Sequence, residues 1–178
     1  MIYEPKWKSL MANTVEPIFT PSQCQDIINV GHQQKTEEAK VGSSKKEGKY
    51  DTKMRITTIS WIPFKVMPDM YKRIERSMLQ VNGNHFGYEG MQITENAQFT
   101  EYPKGGFYDW HIDAEINCQN EPPVRKISMT ILLSNASEFE GGDLEFMTEG
   151  NKPPQLMQGQ AIFFNSMIRH RVAKVKKG

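Results

Sequence analysis

Apolar and polar positions are arranged differently in the two halves of this chain, and the difference predicts its elements. Residues 19–28, FTPSQCQDII, followed by Val30, predict a helix whose buried stripe is Ile27, Ile28 and Val30. Thr20 suits the N-cap, Pro21 the first helical position, and Gln23 completes a capping box. A second helix is predicted from Pro68, with Met70, Tyr71, Ile74, Met78 and Leu79 at helical spacing as core and Asn82-Gly83-Asn84 as its end. Between the helices, residues 55–62, RITTISWI, are rich in β-branched side chains and predict a strand. Residues 40–54 are small, polar and lysine-rich. They predict a mobile loop, either a solvated connection or one that folds over a substrate. From Met91 onward the pattern changes to short apolar or alternating runs at 124–133, 141–146 and 159–164 with turn residues between, and 163–172 also reads as strand. Helices first and strands afterwards predict a mainly β fold in which two helices buttress a jelly roll. The expectation is one domain over 1–178, with helical support over about 15–90 and the jelly roll over about 91–178.

At 178 residues the chain is long enough for a core without staples. Its net charge of +1 and the lack of a long basic stripe give no support to nucleic-acid binding. Cys24 and Cys118 are too few for a disulfide framework and suit a reducing interior. The first residues carry Glu4 and lysines and no apolar core, so no signal peptide is expected. Nothing approaches the roughly 18 apolar residues of a membrane span. These features lead to the expectation of a soluble, cytoplasmic domain.

Chemistry concentrates in residues 102–113, YPKGGFYDWHID. Alternate side chains of a strand share a face, so His111 and Asp113 are expected to aim at one point. Gly105-Gly106 lets the strand that enters this segment turn sharply from the one before it. His170 follows in a later strand. Two histidines and one carboxylate with open positions make the ligand set of a non-haem Fe(II) oxygenase. A lone His-x-Asp is weak, and His111 could instead be a strand-edge histidine bonded to a carboxylate. A structural metal site fits poorly, because such sites are usually closed by four ligands. Trp110 is assigned to packing, and Arg125 to an anion or a neighbouring acid. Asp109, Glu115 and Asp143 are either partners of the histidines or solvated carboxylates. His32 and His85 are expected at the surface.

These residues together resemble a known family, the Fe(II)- and 2-oxoglutarate-dependent dioxygenases, in the prolyl 4-hydroxylase branch. The resemblance runs through 19–24, 55–62, 98–102, 106–113, 128–144, 159–164 and His170-Arg171-Val172. It implies a double-stranded β-helix with the metal at its mouth. It also implies Fe(II) held by His111, Asp113 and His170, with 2-oxoglutarate and O2 as co-substrates and ascorbate as reductant. Tyr102, and either Thr130 or Ser128, would contact 2-oxoglutarate; Tyr108, Arg55 and Trp61 would line the substrate side. The implied reaction is hydroxylation of a prolyl residue in a protein or peptide, with release of succinate and CO2. A free amino acid or small metabolite is the alternative substrate, and a catalytically inactive jelly-roll binding module is the reading from another class. The resemblance places an Arg or Lys that anchors 2-oxoglutarate about ten residues after the second histidine, on the last barrel strand. That position falls beyond Gly178, so the expectation is a longer chain that supplies it.

Overall fold

Helix α1, Pro21–Gln33, begins as its sequence dictates: the Thr20 side chain accepts from the Gln23 backbone N–H, and the Gln23 side chain returns the bond to the Thr20 backbone. The computed structural model describes residues 9–38, 53–114, 124–148 and 154–178. Loop 40–52, Glu115, Cys118 and the start of the chain lie outside them. In order, the elements are β1 Met11–Asn13, α1, β2 Glu37–Glu38, β3 Arg55–Ile56, β4 Thr58–Ile62 and α2 Pro68–Val81. These are followed by β5 Ala97–Glu101, β6 Phe107–His111, β7 Ile127–Ile131, β8 Glu140–Gly141 and β9 Leu144–Phe146. The last elements are β10 Ala161–Asn165, β11 His170–Val172 and β12 Val175–Lys177. This is a mainly β jelly roll with two supporting helices, as the pattern predicts.

One wall of the roll is built from two three-stranded sheets, β1-β10-β7 and β2-β4-β5. Both back onto the helices. Phe99 and Ala97 of β5 share a cluster with Ile131 of β7, and with Phe19, Cys24, Ile27, Met70 and Tyr71. The facing wall is the sheet β3-β6-β11-β9, with β12-β8 as a separate ribbon. Strand β10 shows the division most clearly. Ala161 and Phe163 point to the helix side, among Met78 and Phe86. Ile162 and Phe164 point inward, against Phe146 of the facing wall. Alternation along a strand buried on both faces produces this split. Helix α1 approaches the sheet so closely that a Cβ on Gly31 would lie 2.4 Å from the Phe99 ring, which is why the helix face carries a glycine there.

Four expectations are corrected. Residues 55–62 form two strands, because the chain passes between walls at Thr57: β3 pairs with β6, whereas β4 pairs with β5 and β2. Residues 163–172 are likewise two strands, with a turn at 166–169 carrying the chain from β10 in one wall to β11 in the other. Helix α2 does not stop at Asn82; a π-helical turn, Asn82–Phe86, continues to Gly87, whose φ of 72° closes it. Leu79 is 50% exposed, because it lies nine residues, about half a turn of helical phase, from Met70. Buried residues of α1 are Cys24, Ile27 and Gly31, with Ile28 and Val30 packing at the margin.

Candidate metal centre

Gly105 and Gly106 make the turn into β6: Gly105 has φ of 85°, and the Gly106 N–H bonds back to the Pro103 carbonyl at 2.6 Å. A Cβ on Gly106 would sit 2.8 Å from the Pro103 carbonyl oxygen and 2.9 Å from that of Ile56. β6 then pairs with β11 in an irregular register, His170 opposite His111 but Val172 opposite Tyr108. Three steps on one strand thus match two on the other, so β6 carries a β-bulge at Asp109-Trp110. The bulge brings Tyr108 and His111 onto one face, with ring centroids 3.5 Å apart and planes within 15°.

His111 and His170 are each oriented from behind by a main-chain carbonyl. The Nδ1 of His111 lies 2.7 Å from the Asp109 carbonyl oxygen, and that of His170 lies 3.0 Å from Ile168. Those contacts assign the ring protons to Nδ1 and leave the Nε2 lone pairs pointing forward. In front of them, His111 Nε2 is 3.6 Å from Asp113 Oδ1 and His170 Nε2 is 3.6 Å from Asp113 Oδ2. Burial, with the nearby His170, lowers the pKa of His111 to about 4, against the opposing pull of Asp113. The imidazole is therefore neutral at pH 7. Neutral nitrogens facing carboxylate oxygens repel unless a cation sits between them. Ligand atoms of all three residues lie within 4.8 Å of one another. The chemistry of this donor set fits a divalent metal ion.

Asp113 is itself pinned by its backbone. It lies just past β6, and its N–H and that of Ala114 both donate to the Ser166 carbonyl at 3.0 Å. Its own carbonyl accepts from Arg125 Nη1 at 2.9 Å. Ser166 is fully buried and takes a hydrogen bond from the Ser128 hydroxyl at 3.1 Å. The turn between β10 and β11 thus sets the carboxylate of the β6 end. His170 is seated on Phe164 and Phe146, with centroids 4.6 and 6.0 Å away. Asp113 is the most exposed of the three side chains, at 24%, so the cluster opens on the carboxylate side.

The model of the 2OG-Fe(II) oxygenase superfamily matches residues 97–178. That stretch contains His111, Asp113 and His170. A PKHD-type hydroxylase of Synechococcus sp. (strain CC9902) is 36% identical over 75 residues, covering 42% of this chain and 32% of the relative. The chain therefore spans about a third of the length of that curated relative. A prolyl-4-hydroxylase of Pseudomonas putida has the same fold, with a TM-score of 0.70 at 15% identity over 94% of this chain and 86% of that one. A prolyl hydroxylase solved with a hypoxia inducible factor oxygen degradation domain peptide fragment, from Trichoplax adhaerens, superposes with a TM-score of 0.68. Its identity is 14%, over 94% of this chain and 79% of that one.

Other residues singled out from the sequence distribute unevenly. Arg55, on β3 beside Tyr108, places its guanidinium 4.4 Å from the Tyr108 ring centre. Burial pushes the Tyr102 phenol up to about 12, against the opposing charge and hydrogen bond of Arg55. Tyr108 is raised by the same desolvation, again opposed by Arg55. Tyr102, Tyr108 and Arg55 are thus one group beside His111. Ser128 and Thr130 share a face of β7, but Ser128 is buried with its hydroxyl given to Ser166, whereas Thr130 is exposed. Trp61 is 39% exposed and pairs with Gln98, whose Oε1 accepts from Arg55.

Asp109 serves His111 through its carbonyl, while its carboxylate caps the Trp110 N–H at 2.8 Å. Trp110 packs under the Arg171 guanidinium at 4.8 Å. Arg125 meets an acid, Glu95, besides the Asp113 carbonyl. His32 lies half-exposed against Glu101, and His85 is half-buried against Ser9, not free at the surface. Ser166 escaped the sequence reading because a backbone carbonyl has no signature. Its only signal was the turn-forming Asn165-Ser166 pair between two apolar runs.

Proposed function

We propose that the protein is an Fe(II)- and 2-oxoglutarate-dependent dioxygenase that hydroxylates a prolyl residue of a protein or peptide, releasing succinate and CO2. The observation that carries this reading is the pair of imidazole Nε2 lone pairs facing both oxygens of one carboxylate at 3.6 Å. When bound there, Fe(II) with 2-oxoglutarate and O2 supplies an oxidative decarboxylation coupled to insertion of one oxygen atom into a C–H bond. His111, Asp113 and His170 hold the ion, and their backbone partners keep the three donors preorganised. Tyr102, neutral across the physiological range, offers a desolvated hydroxyl to a 2-oxoglutarate carboxylate, with Ser128 or Thr130 on β7 as further contacts. Tyr108 covers one face of His111 and limits water there, and with Arg55 and Trp61 it borders the substrate side. A peptide substrate is supported by the fold shared with the peptide-bound prolyl hydroxylase. The intact triad argues against an inactive binding module.

The test is succinate formation from 2-oxoglutarate with Fe(II), ascorbate and air, with and without a proline-rich peptide, followed by mass analysis of the peptide. Peptide-stimulated succinate and a gain of one oxygen on the peptide are expected. Turnover that no peptide stimulates but a free amino acid does would transfer the reading to small substrates. No succinate under any condition would hand the protein to the binding module.

A further inference from the structure

Arg55 is a buried cation with no counter-ion among the described residues. The residue is 6% exposed, and no carboxylate pairs with it among the described residues. Its contacts are neutral: Gln98 Oε1 at 3.1 Å, a hydrogen bond to Tyr102, and the Tyr108 ring. Its Nε is buried and has no acceptor, the only such side-chain atom among the described residues. A buried guanidinium surrounded by neutral groups is costly, and an unpaired N–H adds to that cost. Such an arrangement persists when a ligand completes it. The guanidinium fork matches the two oxygens of a carboxylate.

Position gives the same answer, resting on the metal reading above: the Arg55 guanidinium lies 4.4 Å from the centre of the Tyr108 ring, which itself stacks on His111 of the cluster at 3.5 Å. We propose that Arg55 is a carboxylate-binding residue, whose fork and free Nε–H take a carboxylate of a molecule bound at the His111–Asp113–His170 cluster. Two sources present that group: the carboxylate of 2-oxoglutarate remote from its oxo group, and an acidic group of the substrate.

The test uses the full chain loaded with Mn(II), as wild type, Arg55→Gln and Arg55→Lys, with folding checked by thermal melts. Calorimetry compares 2-oxoglutarate with 2-oxopentanoate, which has a methyl group in place of the remote carboxylate. If the co-substrate is the source, wild type prefers the dicarboxylate by about tenfold or more, and Arg55→Gln brings the two to near parity. If the substrate is the source, that preference survives. Instead, Arg55→Gln abolishes the preference for a proline peptide flanked by Glu over one flanked by Gln, measured with 2-oxoglutarate bound. Both preferences unchanged in a folded Arg55→Gln would overturn the proposal. If only Arg55→Lys folds, a weakened preference supports it and an unchanged one overturns it. Failure of the dioxygenase reading has a separate signature, no 2-oxoglutarate binding by Mn(II)-loaded wild type. In that case glutarate is titrated into the metal-free chain: binding that Arg55→Gln removes supports the proposal, and binding that is equal in both or absent overturns it.

Discussion

His111 and His170 are pre-set for a metal by bonds to carbonyls two residues before each of them, Asp109 and Ile168. Replacing His111 or Asp113 by Ala should lower Mn(II) affinity by more than about a hundredfold, since a ligand matters at least as much as its outer partners. The melting temperature should stay within about 4 °C of wild type, because neither side chain belongs to an apolar cluster. Calorimetry and thermal melts check both; unchanged Mn(II) affinity would remove the residue from the ligand set. Tyr102 makes a different statement, about pH. Its pKa rises from about 10 in the unfolded chain to about 12 when folded. Between those values the unfolded chain has released the phenol proton that the folded one keeps, so stability falls as pH rises through the window. Tyr102→Phe should flatten that fall in urea midpoints measured at pH 9 and pH 11.5; an equal fall in both proteins would contradict it. The triad itself was legible because His-x-Asp and a distant histidine are residue types with few other uses together. Ser166 and the backbone grip on Asp113 were not, since main-chain acceptors are independent of residue identity.

Among the elements, β6 carries the most consequence. Plain alternation would set Tyr108 and His111 on opposite faces, and the bulge at Asp109-Trp110 unites them. No local sequence rule announces a bulge without a glycine inside it, so this lay beyond the pattern, as did the crossings at Thr57 and at 166–169. The caps and stripes of α1 and α2 were legible, because capping boxes and helical spacing are local. Strand β10 offers a test of the two-sided core. Phe163 and Phe164 are both buried, to 0% and 1%, and each change to Ala should cost about 3–5 kcal/mol. Only Phe164 touches His170, at 4.6 Å between ring centres. Phe164→Ala should therefore lower Mn(II) affinity as well as stability, whereas Phe163→Ala should lower stability alone. Equal metal affinities in the two variants would show that the inner cluster does not seat His170.

For the whole molecule, the two walls meet at a site where His170 is buried, His111 is partly buried and the Asp113 carboxylate is the most exposed of the three, with Tyr108 and Arg55 to one side of His111. No helix of the described residues is long and apolar enough to cross a membrane. The jelly roll was legible from the change of period along the chain, from helical spacing to short strands. The pairing of strands across the two walls was not, because it joins segments far apart in sequence. If Tyr108 borders the substrate, Tyr108→Ala should reduce peptide-coupled turnover several-fold more than the decay of 2-oxoglutarate without peptide. Equal losses would move Tyr108 to the co-substrate side. The central claim is that His111, Asp113 and His170 hold Fe(II) where 2-oxoglutarate completes its coordination. Its most direct test is an anaerobic absorption titration of the protein with Fe(II) and then 2-oxoglutarate. The account predicts a visible charge-transfer band that needs both additions and is lost in His111→Ala and Asp113→Ala. A wild type that stays colourless, or a band that survives in those variants, would contradict it.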